Sequence, residues 1–350
     1  MVRKHGEISL TPAVSVLMAV YNGQDYLQQA LDSILQQSFT DFEFIIVNDG
    51  STDDTARILA AQHDPRLILL DNPENIGLTR SLNRALPAAQ GQYIARQDAD
   101  DISLPHRLAT QVAHLDRNSN TILVSCDLEI INAQGKVIGE LKRAIDPLLV
   151  RWNMYFYNHL GGHSQVMSRR EAILEIGGYS ESYRYSQDYD LWLRLMQRGN
   201  LVVLPDVWIQ WRLHEKNISI NLLSEQEQVS LRCSQEAIAS LINENLDFEE
   251  IKRLRMFWMN PSELSLNDIG YATDLHRRLK QFYRAFVQKY HLTSAEKYLL
   301  RQHTAGQFAL WTRSISLRHN PGAKLKVTAY IPRWSVHTLA KALPERKQHA

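Results

Sequence analysis

Cysteine is scarce: Cys126 and Cys233 are the two in 350 residues. That count excludes a disulfide-stapled secreted scaffold, and both read as small core residues in a reducing compartment. An excess of charge of one sign is also missing. Thirty-nine Lys and Arg face 38 Asp and Glu, a net charge of +1, so no global field recruits nucleic acid. No apolar run approaches the roughly 20 residues of a membrane span. Met1 to Ile8 lacks the apolar core of a signal peptide. Neither G-x-G-x-x-G nor G-x-x-x-x-G-K-[ST] occurs, so a helix-cradled dinucleotide and a P-loop nucleotide are not expected. There is no internal repeat and no low-complexity segment. The expected location is cytoplasmic.

What is present is a β–α rhythm. Val14 to Val20 is a near-continuous apolar run, as in a strand buried on both faces. Asp25 to Gln37 has apolar residues at helical spacing. Phe42 to Val47 is a second strand, and Asp53 to Gln62 a helix behind Ser51-Thr52. Leu67 to Leu70 is a third strand after Asp64-Pro65. Leu78 to Ala89 is a helix that Pro87 shortens and Gly91 closes. Tyr93 to Arg96 is the fourth strand. This order predicts a parallel sheet with helices on both faces.

Further on the pattern is mixed. Strands are expected at Ile122 to Ser125, Leu128 to Ile131, Lys136 to Gly139, Gln165 to Ser168, Leu201 to Leu204 and Val207 to Arg212. Helices are expected at Arg170 to Ile176, closed by Gly177-Gly178, and at Asp188 to Arg198. From about Asn221 onward the chain reads as helical, at Glu225 to Asn245, Asp274 to Tyr290 and Thr293 to Ser314. Residues 1–220 are expected to form one domain and residues 221–350 a helical extension. The last 35 residues carry Arg318, Lys324, Lys326, Arg333, Lys341, Arg346 and Lys347 against Glu345 alone. A solvated tail is the first reading and a peripheral contact with an anionic membrane the second.

The residue types that carry chemistry cluster at strand ends. Asp98-Ala99-Asp100-Asp101 puts three carboxylates within four residues. Like charges so close repel, and a divalent cation is the simplest compensation; oxygen ligands suit magnesium or manganese. Tyr21-Asn22-Gly23 follows the first strand and Asn48-Asp49-Gly50-Ser51 the second. In a parallel α/β sheet ligands bind outside the carboxyl ends of the strands, so these three clusters converge on one edge. An aromatic face at Tyr21 suits a base, Asp49 suits a base N–H, and Asp100 suits a metal that neutralises a diphosphate. That set describes a nucleotide-diphosphate site.

The stretches Val14 to Gly23, Phe44 to Thr55 and Asp98 to Asp101 resemble family 2 glycosyltransferases of the GT-A fold. The match continues through Gly177-Gly178-Tyr179, Gln187 to Arg194 and Trp211 to Glu215, and covers residues 12 to 220. The resemblance implies a GT-A-like (Rossmann-like) α/β sheet. It also implies inverting transfer from a nucleotide-diphosphate sugar, UDP-sugar by default, to a saccharide or lipid-linked acceptor. Carried over, Ala19 and Tyr21 flank the base, Asp49 reads its edge and Arg80 contacts the nucleotide. Asp98 touches the ribose or sugar, Asp100 binds Mn2+ or Mg2+, His214 approaches the metal or diphosphate, and Asp188 is the catalytic base. Gln187 stands where many relatives have Glu. The Gln-x-x-Arg-Trp signature of processive synthases is absent, so single transfers are expected.

Blander readings stand beside these. Asp53 and Asp54 are expected to support a helix start, Asp101 to be a turn or cap residue, Asp190 a solvated helix residue and Trp192 a core residue. Arg80 reads equally as a surface ion pair. For His163 a hydrogen bond within its loop stands slightly ahead of a place in the acceptor cleft. Two other functions stay open, a sugar nucleotidyltransferase and a non-catalytic nucleotide-sugar-binding scaffold. The former is disfavoured because Val20 to Gly23 has no Lys or Arg.

Overall fold

The computed structural model describes residues 11–143, 145–215, 217, 223–261, 264 and 269–318. The described residues form two compact units. One comprises the residues before Trp152 and His159–Val229; the other comprises Trp152–Asn158 and the residues from Ser230 onward.

The first unit is built on one sheet. Its strands are β1 (Val14–Val20), β2 (Phe42–Asp49), β3 (Leu67–Asn72), β4 (Tyr93–Arg96), β5 (Ile102–Ser103), β6 (Thr121–Asn132), β7 (Val137–Leu141), β8 (Met167–Arg169) and β9 (Asn200–Leu213). They run in the order β3-β2-β1-β4-β8-β6-β9-β5, with β7 on β6. β1 pairs in parallel with both β2 and β4, and β2 with β3. The chain therefore steps from β1 outward to β3 and returns on the other side of β1 as β4. That reversal is where an open α/β sheet leaves a crevice at its strand ends. The expected parallel half is present. Antiparallel pairs enter afterwards, β4 with β8 and β6 with β7 and β8, while β6 and β9 pair in parallel.

Burial explains why these segments are strands. Every residue of β2 is buried and β1 nearly so, which the unbroken Val, Ile, Leu and Phe runs satisfy. Helices α1 (Leu27–Leu35), α2 (Thr55–Ala60) and α3 (Leu78–Ala85) connect the parallel strands. Pro87 ends α3 as expected: the helix stops at Ala85 and a 3₁₀ turn, Leu86–Ala88, carries the proline. The apolar core joins β1, β2 and β4 with Leu27, Leu31 and Ile34 of α1, Leu108 and Leu115 of α4 (Arg107–Arg117), and Val124, Cys126 and Leu128 of β6. Cys126 and Cys233 are both buried free thiols. Burial pushes the Cys126 thiol up to about 11.

The second half holds elements that the residue pattern did not announce. The strands expected at 122–125 and 128–131 are one strand, β6, because Asp127 is buried in place. Likewise 201–204 and 207–212 are joined in β9. Helices α4 and α5 (Pro147–Met154) and the two-residue β5 were not expected. Arg170–Glu175 forms α6, and α7 spans Gln187–Leu195.

The second unit is helical: α8 (Leu223–Ile242) from Ser230 onward, α9 (Phe248–Met259), α10 (Ile269–Lys289) and α11 (Ser294–Arg318). Trp152 lies at its aromatic centre, with ring centroids 4.8 Å from Phe282, 5.0 Å from Phe286 and 5.6 Å from Trp258. No described helix is long and apolar enough to cross a membrane. The basic tail from residue 319 onward lies outside the described residues.

Candidate active site

The loops after β1 and β2 are fastened to each other. The Asn22 backbone N–H donates to Ser51 Oγ at 3.0 Å, and Thr52 N–H returns a bond to Asn22 Oδ1 at 2.8 Å. Gly23 N–H donates to Thr55 Oγ1 at 2.9 Å, and Gln24 N–H to Asp53 Oδ2 at 3.1 Å. Asn22 has φ of 52°, a left-handed conformation that Asn tolerates better than most residues. The Asn-Asp-Gly-Ser-Thr run after β2 thus includes residues that hold the β1 loop. Asp53 also accepts from Thr55 N–H at 3.0 Å at the start of α2, and Asp54 pairs with Arg57. Gly50 has φ of 67°, and a Cβ there would lie 2.4 Å from the Glu74 carbonyl carbon, so the backbone passes where no side chain fits.

Asp49 ends β2 with 3 % exposure. Its carboxylate accepts from Asn72 Nδ2 at 2.6 Å and Ile76 N–H at 2.9 Å through Oδ1, and from Gly77 N–H at 2.9 Å through Oδ2. It is therefore the anchor of the loop that leads into α3. Tyr21, by contrast, is 49 % exposed just past β1. Ala19 lies one strand position before Val20, paired with Val47 of β2. Arg80, in the first turn of α3, ion-pairs with Glu181 at 3.0 Å, and both side chains are largely exposed.

The acidic loop after β4 is the densest part. Asp98 Oδ1 accepts from Arg96 Nη2 at 2.8 Å. Asp100 Oδ2 lies 3.0 Å from His214 Nε2 and 3.5 Å from Asn217 Nδ2. Asp101 is buried; Ser164 Oγ donates to its Oδ2 at 2.6 Å and Arg212 N–H to its Oδ1 at 3.0 Å. Burial, with Asp100 and Asp98 close by, raises the Asp101 carboxyl well above its ordinary value. Asp101 thus ties the loop to β9 and the Ser164 turn, a larger structural role than a turn or cap. The end of β9 is held in turn by α1. Arg212 Nη2 donates to Gln29 Oε1 at 2.7 Å, its guanidinium lies 4.6 Å from the Tyr26 ring centroid, and the His214 ring is 4.9 Å from the same ring.

The compensation of the acids differs from the expectation in part. Beneath the loop lie three buried arginines, Arg96, Arg107 and Arg212. Arg107 donates to Gln97 Oε1 and Ser103 Oγ through Nη1, and to the Arg96 carbonyl at 2.7 Å through Nη2. Burial lowers the Arg107 guanidinium to about 10. Asp98 is thus paired with a buried, fixed guanidinium, that of Arg96. Among the described residues no group of three His, Cys, Asp or Glu side chains could hold a metal ion. Asp100, 31 % exposed, and His214 do stand together. One carboxylate and one imidazole fit a magnesium or manganese ion that takes further oxygens from a bound diphosphate.

Asp188 lies in the first turn of α7, half-buried, behind Ser186 with φ of 53°. Its field acts on two buried side chains, His163 and Tyr179, on which Arg96 and Asp98 also act. Burial pushes the Tyr179 phenol up to about 12 and lowers the His163 imidazole. The His163 ring is 5.8 Å from Tyr179 and 6.3 Å from Trp192, and its buried Nε2 has no hydrogen-bond partner; a bond from Nε2 within its loop is not formed. The segment before α7 is strapped to α3: Asn83 accepts from Tyr179 N–H at 2.9 Å and donates to its carbonyl at 2.8 Å. Asp190 is not solvated; it ion-pairs with Arg194 at 2.6 Å, and Arg194 also holds the Ile176 and Gly178 carbonyls. Trp192 is core, as expected.

The sequence reading missed Arg96, Asn83 and Ser164, and used Arg212 only as context for His214. Arg212 stands beside His214 in the Trp211 to Glu215 stretch, and that spacing was the available signal. Arg96 stands two positions before Asp98, where a strand-end arginine reads as solvated.

The parallel pairing of β1 with both β2 and β4 puts the loops that carry Tyr21, Asp49 and the acidic run at the carboxyl ends of adjacent strands, where enzymes with an α/β sheet bind their ligands. The model of the family described as glycosyl transferase family 2 matches residues 15–175. An uncharacterized glycosyltransferase of Haemophilus influenzae is 30 % identical over 278 residues, covering 74 % of this chain and 85 % of that one. The O-antigen biosynthesis glycosyltransferase WbnJ of Escherichia coli is 32 % identical over 231 residues, covering 62 % and 86 %. The chain belongs to glycosyl transferase family 2. Two solved structures share the fold at 17 % identity. They are TarS residues 1–349 of S. aureus with UDP-GlcNAc, at TM-score 0.56 over 94 % of this chain and 91 % of that one, and the mannosyltransferase PcManGT of Pyrobaculum calidifontis with GDP-Man and Mn2+, at 0.52 over 96 % and 89 %. Family membership sets aside the nucleotidyltransferase alternative.

Proposed function

We propose that the protein transfers a sugar, with inversion and one unit at a time, from a nucleotide-diphosphate sugar to a saccharide or lipid-linked acceptor. UDP-sugar is the default donor. The observation that carries this reading is that His214 Nε2, 114 positions away in the chain, meets Asp100 Oδ2 at 3.0 Å in the acidic loop after β4. The name of WbnJ supports a saccharide acceptor, and the ligands named for TarS and PcManGT support a nucleotide-sugar donor.

The roles follow from position. Tyr21 offers its exposed ring to the base. Asp49 accepts a base N–H through lone pairs that its three hydrogen bonds leave, and holds the Ile76-Gly77 backbone at the same time. Ala19 lies beneath the base, and Arg80 releases Glu181 to reach the nucleotide. Such an exposed pair is worth only about 0–1 kcal/mol. Asp98, oriented by Arg96, accepts from ribose or sugar hydroxyls. Asp100 and His214 would hold the Mn2+ or Mg2+. When bound, that ion supplies Lewis-acid stabilisation of the charge on the departing diphosphate.

Asp188 takes the proton of the acceptor hydroxyl as the acceptor oxygen bonds to the anomeric carbon. The bond from that carbon to the diphosphate oxygen breaks in the same displacement, and its electron pair leaves with the nucleotide. No enzyme-bound intermediate is needed. Residues 1–220 carry donor binding and catalysis in this reading, and residues 221–350 serve acceptor, partner or membrane-surface contact.

A hydrolysis panel over UDP-, GDP- and dTDP-sugars, with manganese and with a chelator, tests the proposal. One donor class should be consumed with metal and spared with chelator. No consumption of any donor under either condition would overturn it.

A further inference from the structure

The acidic loop has three carboxylates in four positions, yet offers no three-ligand metal group among the described residues. The hydrogen bonds explain this, because each acid has a different partner. Both oxygens of Asp101 are taken, by Ser164 Oγ and Arg212 N–H. Asp98 Oδ1 is taken by Arg96 Nη2. Asp100 alone faces exchangeable partners, His214 and Asn217.

Arg96 is built not to move. Its side chain is 1 % exposed. Nη1 donates to the Leu17 carbonyl of β1 and, at 3.2 Å, to the Gln97 carbonyl. Its own backbone is held by Val166 and by Arg107, whose Nη2 donates to the Arg96 carbonyl at 2.7 Å. A guanidinium fixed by main chain on two sides cannot follow a departing carboxylate. It also acts on Tyr179 and His163, which feel Asp188 as well.

We propose that Arg96 is a positioning residue that withholds Asp98 from cation binding, so that Asp100 and His214 capture a divalent ion only together with the donor's diphosphate. The inference rests on the metal-assisted reading above. Removing one carboxylate from the ligand set and adding a nearby positive charge both weaken binding of a bare ion. A diphosphate restores oxygens and negative charge together. By reciprocity the metal then strengthens nucleotide binding by the same factor.

Electron-spin counting of free Mn2+ tests this without turnover, with and without UDP. Wild-type protein should bind Mn2+ about tenfold or more tighter with UDP than without it. Arg96→Gln should bind Mn2+ without UDP about tenfold tighter than wild type, because Asp98 joins Asp100. Arg96→Lys, which keeps the charge, should stay near wild type. Should loss of the buried arginine unfold the chain, Asp98→Asn decides instead, since Asp98 is one-third exposed. It should leave nucleotide-free Mn2+ affinity within about threefold, whereas Asp100→Asn should remove binding. Folded Arg96→Gln with no gain, or Asp98→Asn with a tenfold loss, would overturn the role of Arg96 and leave the metal reading intact. No Mn2+ binding by wild type even with UDP would overturn both.

Discussion

His214 Nε2 lies 3.0 Å from Oδ2 of Asp100, 114 positions earlier in the chain. β9 carries the histidine to the acidic loop, and Arg212 fixes the approach by donating Nε–H to the Asp100 carbonyl at 2.9 Å. Without a cation the two side chains satisfy each other. In the proposed reading both would face a bound cation. His214→Ala is expected to weaken manganese-dependent UDP binding about tenfold, or about 1.4 kcal/mol, and Asp100→Ala is expected to abolish the manganese dependence. Calorimetry with UDP, with and without Mn2+, measures both. Unchanged affinity in both variants would remove this pair as the metal site.

Asp188→Asn keeps the shape of the α7 start and removes the proton acceptor. Turnover should fall by roughly 10²–10⁴-fold, the usual share of a positioned base, while UDP affinity stays within about twofold of wild type. Single-turnover release of UDP, run beside calorimetry, separates the two effects. Full turnover in the variant would exclude Asp188 as the base. A parallel loss of UDP affinity would point instead to collapse of the segment that Asn83 holds at Tyr179.

The parallel half of the sheet was legible because its strands are buried on both faces, and a buried apolar run has few other uses. The convergence of strand-end loops followed from topology alone. Helix α4 was not legible: Leu108, Val112 and Leu115 mark its face, but Arg107 and Gln111 are buried beside them and break the apolar spacing. Asp127 hid the continuity of β6 in the same way. For α5 and α9 the signals were present and passed over. Asp146-Pro147 caps the first, with Leu148 N–H on Asp146 Oδ1 at 2.9 Å, and Asp247 with Glu250 forms a capping box on the second. The arginines under the acidic loop were out of reach, since a charged residue gives no sequence sign of being buried by its main-chain partners.

Asp49 is expected to matter for stability as well as for donor binding. Asp49→Ala strands the backbone N–H groups of Ile76 and Gly77 and the amide of Asn72. Leaving such buried donors unpaired costs about 1–3 kcal/mol. Urea unfolding should show a lower midpoint with little change in slope, and UDP affinity should fall with it. An unaltered midpoint would show that the loop before α3 does not depend on this carboxylate.

Asp101 sets a pH dependence that a neutral isostere should erase. Burial and the neighbouring Asp100 and Asp98 raise its carboxyl well above 3.8. The folded state therefore binds this proton more tightly than the unfolded chain does. Such a group costs nothing below the unfolded value and takes stability away as pH rises from 3.8 through the raised folded value. Asp101→Asn carries no charge at any pH. Its amide oxygen can still accept from Arg212 N–H, and its amide N–H can donate to Ser164 Oγ. The melting temperature of the variant minus that of wild type should therefore grow as pH rises above about 4 in chelator. Differential scanning calorimetry at several pH values measures that difference. A difference that stays flat, or shrinks with rising pH, would mean that the arginines around the loop already hold Asp101 ionised.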